Sequence, residues 1–147
     1  MMREGRLIVT AADNKALVHR LYEDGFNAED VGILDVLLAP HFVDHTAAPG
    51  QAPGAAGIKD AWTRLHTAFP DIHLTVEDVI AEGDGVAARV TLRGTHRGEF
   101  MGVLPTGRVI QAQGMEFVHI ADGQIVDLWS DFNFWSVMGR DAAVLSQ

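Results

Sequence analysis

The sequence predicts an α+β fold in which helices come first and an antiparallel sheet follows. Apolar residues recur at helical spacing up to about residue 70, and they alternate with polar residues after Asp71, beginning with Ile72, Leu74 and Val76. Helix signals and strand signals are therefore segregated along the chain. A doubly wound α/β fold would interleave them, so the segregation favours helices packed on one face of an antiparallel sheet.

Three helices are predicted in the first half of the chain. Asp13 is the expected N-cap of the first helix, because apolar residues at helical spacing follow it. A second, shorter helix follows Asp30 and must end before Pro40. The third helix is predicted over residues 58–69, with Pro70 just beyond its end.

Between the second and third helices lie a short extended segment and a loop. Residues 42–45 are predicted to be extended, and residues 46–57 are rich in glycine and proline. A loop of this length is typical of a lid or a binding loop. Four strands are then predicted near residues 72–76, 86–92, 109–120 and 124–133.

Composition excludes several classes of function. The formal net charge of −9 argues against binding to nucleic acid or to an anionic membrane surface. The absence of cysteine excludes disulfides and thiolate metal sites. With no long apolar run and no signal-peptide pattern, a soluble cytoplasmic protein is expected. We expect one domain over residues 1–147, with its core over about residues 13–140.

The last predicted hairpin brings two carboxyl groups near each other. Asp122-Gly123 favours a two-residue type I′ turn. A regular ladder from that turn places Glu116 opposite Trp129 and Gly114 opposite Asp131, all on one face. The glycine would leave room for a ligand. Two carboxyl groups on an apolar surface are driven apart in pKa, which suits acid–base catalysis, whereas on a solvated face they would be ordinary surface charges.

No pattern in the sequence indicates a metal or a cofactor. No histidine and carboxylate spacing typical of a metal site is present, and neither a nucleophile elbow nor a dinucleotide fingerprint is found. We therefore expect activity without metal or cofactor.

Two segments resemble the SnoaL-like polyketide cyclase family. They are residues 94–108, GTHRGEFMGVLPTGR, and residues 120–129, IADGQIVDLW. The resemblance runs from about Ala16 to Gly139. It implies the nuclear-transport-factor-2-like cone, a curved antiparallel sheet wrapped around three N-terminal helices with a pocket inside.

The resemblance also implies a reaction. SnoaL-like cyclases close a ring of an aromatic polyketide ester by intramolecular aldol condensation, with an aspartate near the tryptophan as acid or base. Here Ser130 follows Trp129 directly and Asp131 comes next, so Asp131 is the expected base. Ketosteroid isomerases share the fold class, and that similarity implies that Glu116 is a neutral hydrogen-bond donor to the substrate oxygen.

The remaining site predictions concern the pocket mouth and its walls. His45 is expected at the mouth as a third catalytic group, and His96 at the rim as a substrate-binding group. The other predicted substrate-binding residues for a flat hydrophobic ligand are Trp129, Trp62, Phe69, Phe100 and Asn133.

Both faces of the last strands carry apolar residues, so a second cover for the sheet is expected. Met115, Phe117 and Leu128 are predicted on one face, and Ile120, Ile125 and Trp129 on the other. A homodimer through the outer face is the simplest cover. The function that competes with a cyclase or isomerase is non-catalytic binding of a small molecule by the same fold.

Overall fold

The computed structural model describes residues 2–3, 6–7, 9–134 and 136–138. The sequence is rich in apolar residues over positions 134–138, and Trp135 of this segment lies outside the described residues. The strands are β1 (Met2–Arg3), β2 (Arg6–Leu7), β3 (Leu38–Asp44), β4 (His73–Glu82), β5 (Gly85–Thr95), β6 (Val109–Ala121) and β7 (Gln124–Phe132). The helices are α1 (Ala11–Arg20), a π-helix (Leu21–Phe26), a 3₁₀ turn (Val31–Ile33), α2 (Leu34–Leu37) and α3 (Gly54–Ala68).

The α+β prediction is confirmed, with one difference in the sheet. Five strands form a curved, open sheet in the order β3-β7-β6-β5-β4. All neighbouring pairs are antiparallel except β3 and β7, which run parallel. The extended segment near residue 42 thus becomes a longer edge strand that pairs beside the last strand of the chain.

Two helix starts differ from the prediction. Thr10, not Asp13, caps α1: its hydroxyl accepts from the Asp13 backbone N–H, and the Asp13 carboxylate accepts in return from the Thr10 backbone N–H. Asp13 is therefore the third helical residue of a capping box. Helix α3 begins at Gly54, so the last four residues of the predicted loop form its first turn.

The core lies between the inner face of the sheet and the helices. Alternate residues of β5, namely Val86, Ala88, Val90 and Leu92, are all buried there. They pack against buried apolar side chains from the helical segments, including Val18, Leu34 and Ile58. No helix among the described residues is long and apolar enough to cross a membrane.

The last hairpin has the predicted turn but not the predicted register. Asp122 and Gly123 have φ values of 53° and 75°, as a type I′ turn requires. Ala121 faces Gln124, but the register shifts by one residue between His119 and Ile120. The shift is a β-bulge at residue 126 of β7. Because side chains alternate, the extra residue moves every later side chain of β7 to the face opposite the predicted one.

Because of the same bulge, two apolar side chains of β7 lie on the sheet faces opposite to those predicted. Trp129 lies opposite Phe117 on the outer face, and Leu128 lies opposite Val118 on the inner face. The two β7 residues have therefore exchanged faces relative to the regular ladder. Met115 and Phe117 lie on the outer face and are exposed.

Candidate active site

A cavity of about 690 Å³ lies between the inner face of the sheet and the helices. Its size is in the range of pockets that hold small molecules. Its wall is mainly apolar, with aromatic rings from Phe26, Phe42, Trp62, Phe100, Phe132 and Phe134. The polar side chains that reach it include Tyr22, Asp44, Thr46, Gln51, Glu116 and Ser130. The predicted substrate-binding residues Trp62 and Phe100 are thus in the cavity wall.

Glu116 projects into this cavity from the middle of β6. Protein atoms surround its carboxyl group, although part of the side chain stays in contact with the cavity. Burial disfavours the charged form and raises the pKa of Glu116 from 4.5 to about 7. The Tyr22 hydroxyl opposes this increase, and the negative charge of Asp44 adds to it. Glu116 is therefore present as both acid and base near neutral pH.

Tyr22 reaches the cavity because α1 widens into a π-helix. The backbone N–H of Asn27 donates to the Tyr22 carbonyl at 2.8 Å, the i to i+5 spacing of a π turn. Burial raises the pKa of Tyr22 well above its usual value, so the hydroxyl keeps its proton. It lies near enough to the Glu116 carboxyl to affect its pKa, but it forms no well-aligned hydrogen bond within the described residues. The Tyr22 hydroxyl is thus a protonated group in the cavity wall beside Glu116.

A hydrogen-bond network connects Asp44, at the end of β3, to the glycine-rich loop and to β7. Gln51 Nε2 donates to one carboxylate oxygen of Asp44 at 2.9 Å. The backbone N–H and the hydroxyl of Thr46 approach the other oxygen at 3.0 and 3.1 Å. Thr46 Oγ1 in turn accepts from the Ser130 backbone N–H at 2.9 Å. The loop thus fixes both oxygens of a carboxylate in the cavity wall.

The structure places Asp131 away from the cavity. It is exposed on the outer face, opposite Met115, whereas Glu116 on the inner face is opposite Ser130. The predicted pairing of Asp131 with Gly114 is wrong because of the bulge. Gly114 faces Phe132, whose ring occupies the space where a Cβ on residue 114 would lie. The glycine makes room for a core aromatic ring and not for a ligand.

His45 and Trp129 also lie on the outer face. Their rings stack with centroids 4.3 Å apart. Asp127 accepts hydrogen bonds from His45 Nε2 at 2.7 Å and from His119 Nδ1 at 3.3 Å. The bond from His45 is the main reason that the pKa of Asp127 is lowered. Neither His45 nor Trp129 is in the cavity wall, so the structure does not bring them to Glu116.

Three further predicted residues lie outside the cavity wall. His96 is fully buried behind it, with its ring 5.4 Å from that of Phe69. The backbone N–H of Thr106 donates to His96 Nδ1 at 3.3 Å, and Thr106 Oγ1 lies 3.1 Å from the same nitrogen. Phe69 is a buried core residue. Asn133 is exposed and accepts from the Gln113 backbone N–H at 2.7 Å through its side chain.

Five of the polar cavity residues named above were not predicted from the sequence: Tyr22, Asp44, Thr46, Gln51 and Ser130. Tyr22 occurs among apolar residues at helical spacing and gives no sequence signal apart from being the only tyrosine. Asp44 and Gln51 flank the start of the glycine-rich loop, and that position was the available signal. Ser130 was hidden by the predicted register, which put it on the outer face.

Among the described residues, no group of three or more histidine or carboxylate side chains is arranged to hold a metal ion.

Comparison with known proteins finds a matching family model, a curated relative and similar solved structures. The family model for SnoaL-like polyketide cyclases matches residues 16–139. IdmH from Streptomyces antibioticus, described as a candidate polyketide cyclase, is 34% identical with a TM-score of 0.75, and the match covers 88% of this chain and 98% of that one. AclR from Streptomyces galilaeus, described as a candidate hydroxylase, is 30% identical with a TM-score of 0.77, over 89% and 96% of the two chains.

A curated relative adds a named substrate. Aklanonic acid methyl ester cyclase AcmA from Streptomyces galilaeus is 32% identical over 75 residues, which is 51% of this chain and 51% of that protein. The match thus spans about half the length of this curated relative. The family model, in contrast, covers most of the present chain, and IdmH matches it over nearly its full length. The chain belongs to the SnoaL-like polyketide cyclase family.

Proposed function

We propose that the protein is a cofactor-independent cyclase that closes a ring in an apolar, polyketide-like carbonyl compound by intramolecular aldol condensation. The observation that carries the proposal is Glu116, a carboxyl group with a pKa of about 7 in the wall of an apolar cavity. A general base is most effective when its pKa is near the working pH. Glu116 thus takes the role first assigned to Asp131.

The reaction needs one base, one donor and no external reagent. The Glu116 carboxylate removes a proton from the carbon next to a carbonyl group. The Tyr22 hydroxyl donates a hydrogen bond to the enolate oxygen that forms. The enolate carbon then attacks a second carbonyl group of the same molecule and forms the carbon–carbon bond. The resulting alkoxide takes the proton from Glu116. No water is lost in this aldol ring closure, so the product is an isomer of the substrate.

The pH dependence follows from the base role of Glu116. Only the carboxylate form removes a proton, and this form increases as the pH rises through about 7. We therefore expect kcat/KM to rise about tenfold per pH unit below that value and to level off above it.

Two substrates test the proposal. Aklanonic acid methyl ester, the compound in the name of AcmA, tests ring closure by chromatography and mass spectrometry. 2-Tetralone, a flat apolar ketone, tests proton abstraction by NMR through exchange of its α-hydrogens in D₂O. We expect E116Q to lower either rate by about 10²-fold or more with binding unchanged. The matched control is E77Q, an exposed glutamate of β4.

Each outcome separates the proposed function from its alternatives. Ring closure that depends on Glu116 supports the cyclase. Exchange of 2-tetralone without ring closure supports an isomerase acting on another carbonyl compound. Saturable binding of 2-tetralone with neither reaction would contradict the proposal in favour of a non-catalytic binding domain.

We also propose that the outer face of the sheet forms a homodimer. Met115 and Phe117 of β6 are 61% and 39% exposed there, beside Trp129 of β7. Adjacent exposed apolar side chains on a sheet face are typical of an interface. Sedimentation velocity at micromolar concentration is expected to give a dimer, and M115E to give a monomer. A monomeric wild-type protein would contradict this proposal and leave the cyclase proposal untouched.

A further inference from the structure

We propose that Ser130 and Thr46 form a proton relay between the Glu116 carboxyl group and Asp44, and through Asp44 to solvent at the glycine-rich loop. This inference rests on the proposed function and deepens it. It assigns roles to two hydroxyl groups that the acid–base chemistry of Glu116 alone does not use.

The direction of the relay follows from donor counting. Thr46 has one hydroxyl hydrogen, and the Asp44 carboxylate oxygen 3.1 Å away only accepts hydrogen bonds. Thr46 Oγ1 therefore accepts in its 3.3 Å contact with Ser130 Oγ, and Ser130 donates. The two hydroxyl groups form a directed chain from Ser130 through Thr46 to Asp44.

The other end of the relay lies at Glu116. Glu116 and Ser130 are directly opposite each other in the β6–β7 ladder and project from the same inner face. The Cβ atoms of such pairs are about 4.5–5.5 Å apart, which brings a carboxyl and a hydroxyl group within reach of each other. Both residues are in the wall of the cavity. The Ser130 hydroxyl is thus the polar group of β7 that lies directly opposite Glu116.

Asp44 is suited to end the relay because its position is fixed. Gln51 holds one oxygen, and the Thr46 backbone N–H holds the oxygen that receives the Thr46 hydroxyl. Glu116 and Asp44 are both half-buried, whereas Thr46 between them is exposed. A proton that reaches Asp44 has therefore moved to the side of the site that faces the glycine-rich loop.

One transfer moves one proton and no other charge. The proton of the Glu116 carboxylic acid passes to Ser130 Oγ, the Ser130 hydrogen passes to Thr46 Oγ1, and the Thr46 hydrogen passes to the Asp44 carboxylate. Glu116 is left as a carboxylate without returning its proton to the bound molecule, and both hydroxyl groups are intact. Asp44 then releases the proton to water. The same steps in reverse protonate Glu116 from solvent.

The relay affects the exchange of hydrogen between 2-tetralone and solvent, and it does not affect the abstraction of the proton from carbon. In D₂O, Glu116 must replace the proton taken from 2-tetralone by a deuteron before it returns one to carbon. Without the relay, the original proton returns to the same carbon more often than it is replaced, so exchange is slower. We expect T46V and S130A each to lower the exchange rate about 10-fold or more without change in KM.

Controls separate a relay from a merely structural role. T46S keeps the hydroxyl and is expected to restore exchange. T63V makes the same change on an exposed threonine of α3 and is expected to exchange like wild type. The double variant T46V/S130A should be no slower than the slower single variant, because both residues act in one chain. The wild-type solvent isotope effect should show a curved proton inventory, which T46V makes linear.

The failure of the relay and the failure of the proposed function give different results. If wild type exchanges 2-tetralone through Glu116 and T46V exchanges equally fast, the relay is refuted and the base role of Glu116 stands. If T46S is as slow as T46V, the hydroxyl is not the active feature and the relay is also refuted. If wild type shows no exchange that depends on Glu116, the relay is refuted. The proposed function is then overturned only if ring closure of aklanonic acid methyl ester is also independent of Glu116.

Discussion

Replacement of Glu116 by glutamine is expected to stabilise the folded protein, and to do so more strongly at pH 8 than at pH 4. In the unfolded chain the carboxyl group titrates near 4.5, whereas in the folded protein its pKa is about 7. Between these values the folded protein binds more protons than the unfolded chain. The free energy of unfolding therefore falls as the pH rises through this range.

The size of the effect follows from the difference between the two pKa values. Each unit corresponds to 1.36 kcal/mol, so the shift of Glu116 from 4.5 to about 7 amounts to about 3 kcal/mol. The wild-type protein loses this stability between pH 4 and pH 8. E116Q has no titratable group at this position, so its free energy of unfolding does not fall for this reason. The stability difference between the two proteins should thus grow by about 3 kcal/mol over that range.

Urea denaturation followed by circular dichroism at pH 4, 6 and 8 measures this difference without any substrate. The other titrating groups are common to both proteins and largely cancel in the comparison. E77Q, which changes an exposed glutamate of β4, should differ from wild type by less than about 0.5 kcal/mol at each pH. A stability difference for E116Q that stays constant from pH 4 to pH 8 would refute the raised pKa of Glu116.

Four other predictions concern three further variants and treatment with a metal chelator. D44N removes a negative charge that raises the pKa of Glu116, so the midpoint of the pH–rate profile with 2-tetralone should move to lower pH; an unchanged midpoint would contradict this. D131N changes an exposed residue of the outer face, so its rate should stay within about twofold of wild type; a large loss would return Asp131 to the site. G114A places a methyl group where the Phe132 ring lies and should cost about 1–3 kcal/mol in urea denaturation; a neutral change would be inconsistent with this packing. Treatment with EDTA should leave the exchange rate unchanged, and a loss reversed by zinc or magnesium would disprove a metal-free mechanism.

The order of elements could be predicted because each signal is local. The change from helical to alternating spacing after Asp71 marks the start of the sheet, and Asp122-Gly123 marks the last turn. The parallel pairing of β3 with β7 could not be predicted, because the two strands are separated by most of the chain. The parallel partner of a strand depends on how the whole sheet assembles, and the sequence of neither strand indicates it.

The site could be predicted only in part, and a single inserted residue accounts for most of the difference. Glu116 is on β6 before the turn, so the bulge left it on the predicted inner face. Asp131 and Trp129 are on β7 beyond the bulge, so both moved to the outer face. Nothing in the sequence of β7 indicates that a bulge is needed there. The alternating pattern near Val126 is satisfied almost equally well in either register, because Leu128 and Trp129 are both apolar.

The bulge also places the Glu116 carboxyl group of β6 opposite the Ser130 hydroxyl group of β7. In this register a carboxyl group at position 130 would face Glu116 across the ladder, and two carboxyl groups so close in an apolar wall cannot both ionise. Ser130 avoids that repulsion. The carboxylate whose charge acts on Glu116 is instead Asp44, held by the loop on the far side of Thr46. Its charge thus raises the pKa of Glu116 without sharing its proton directly.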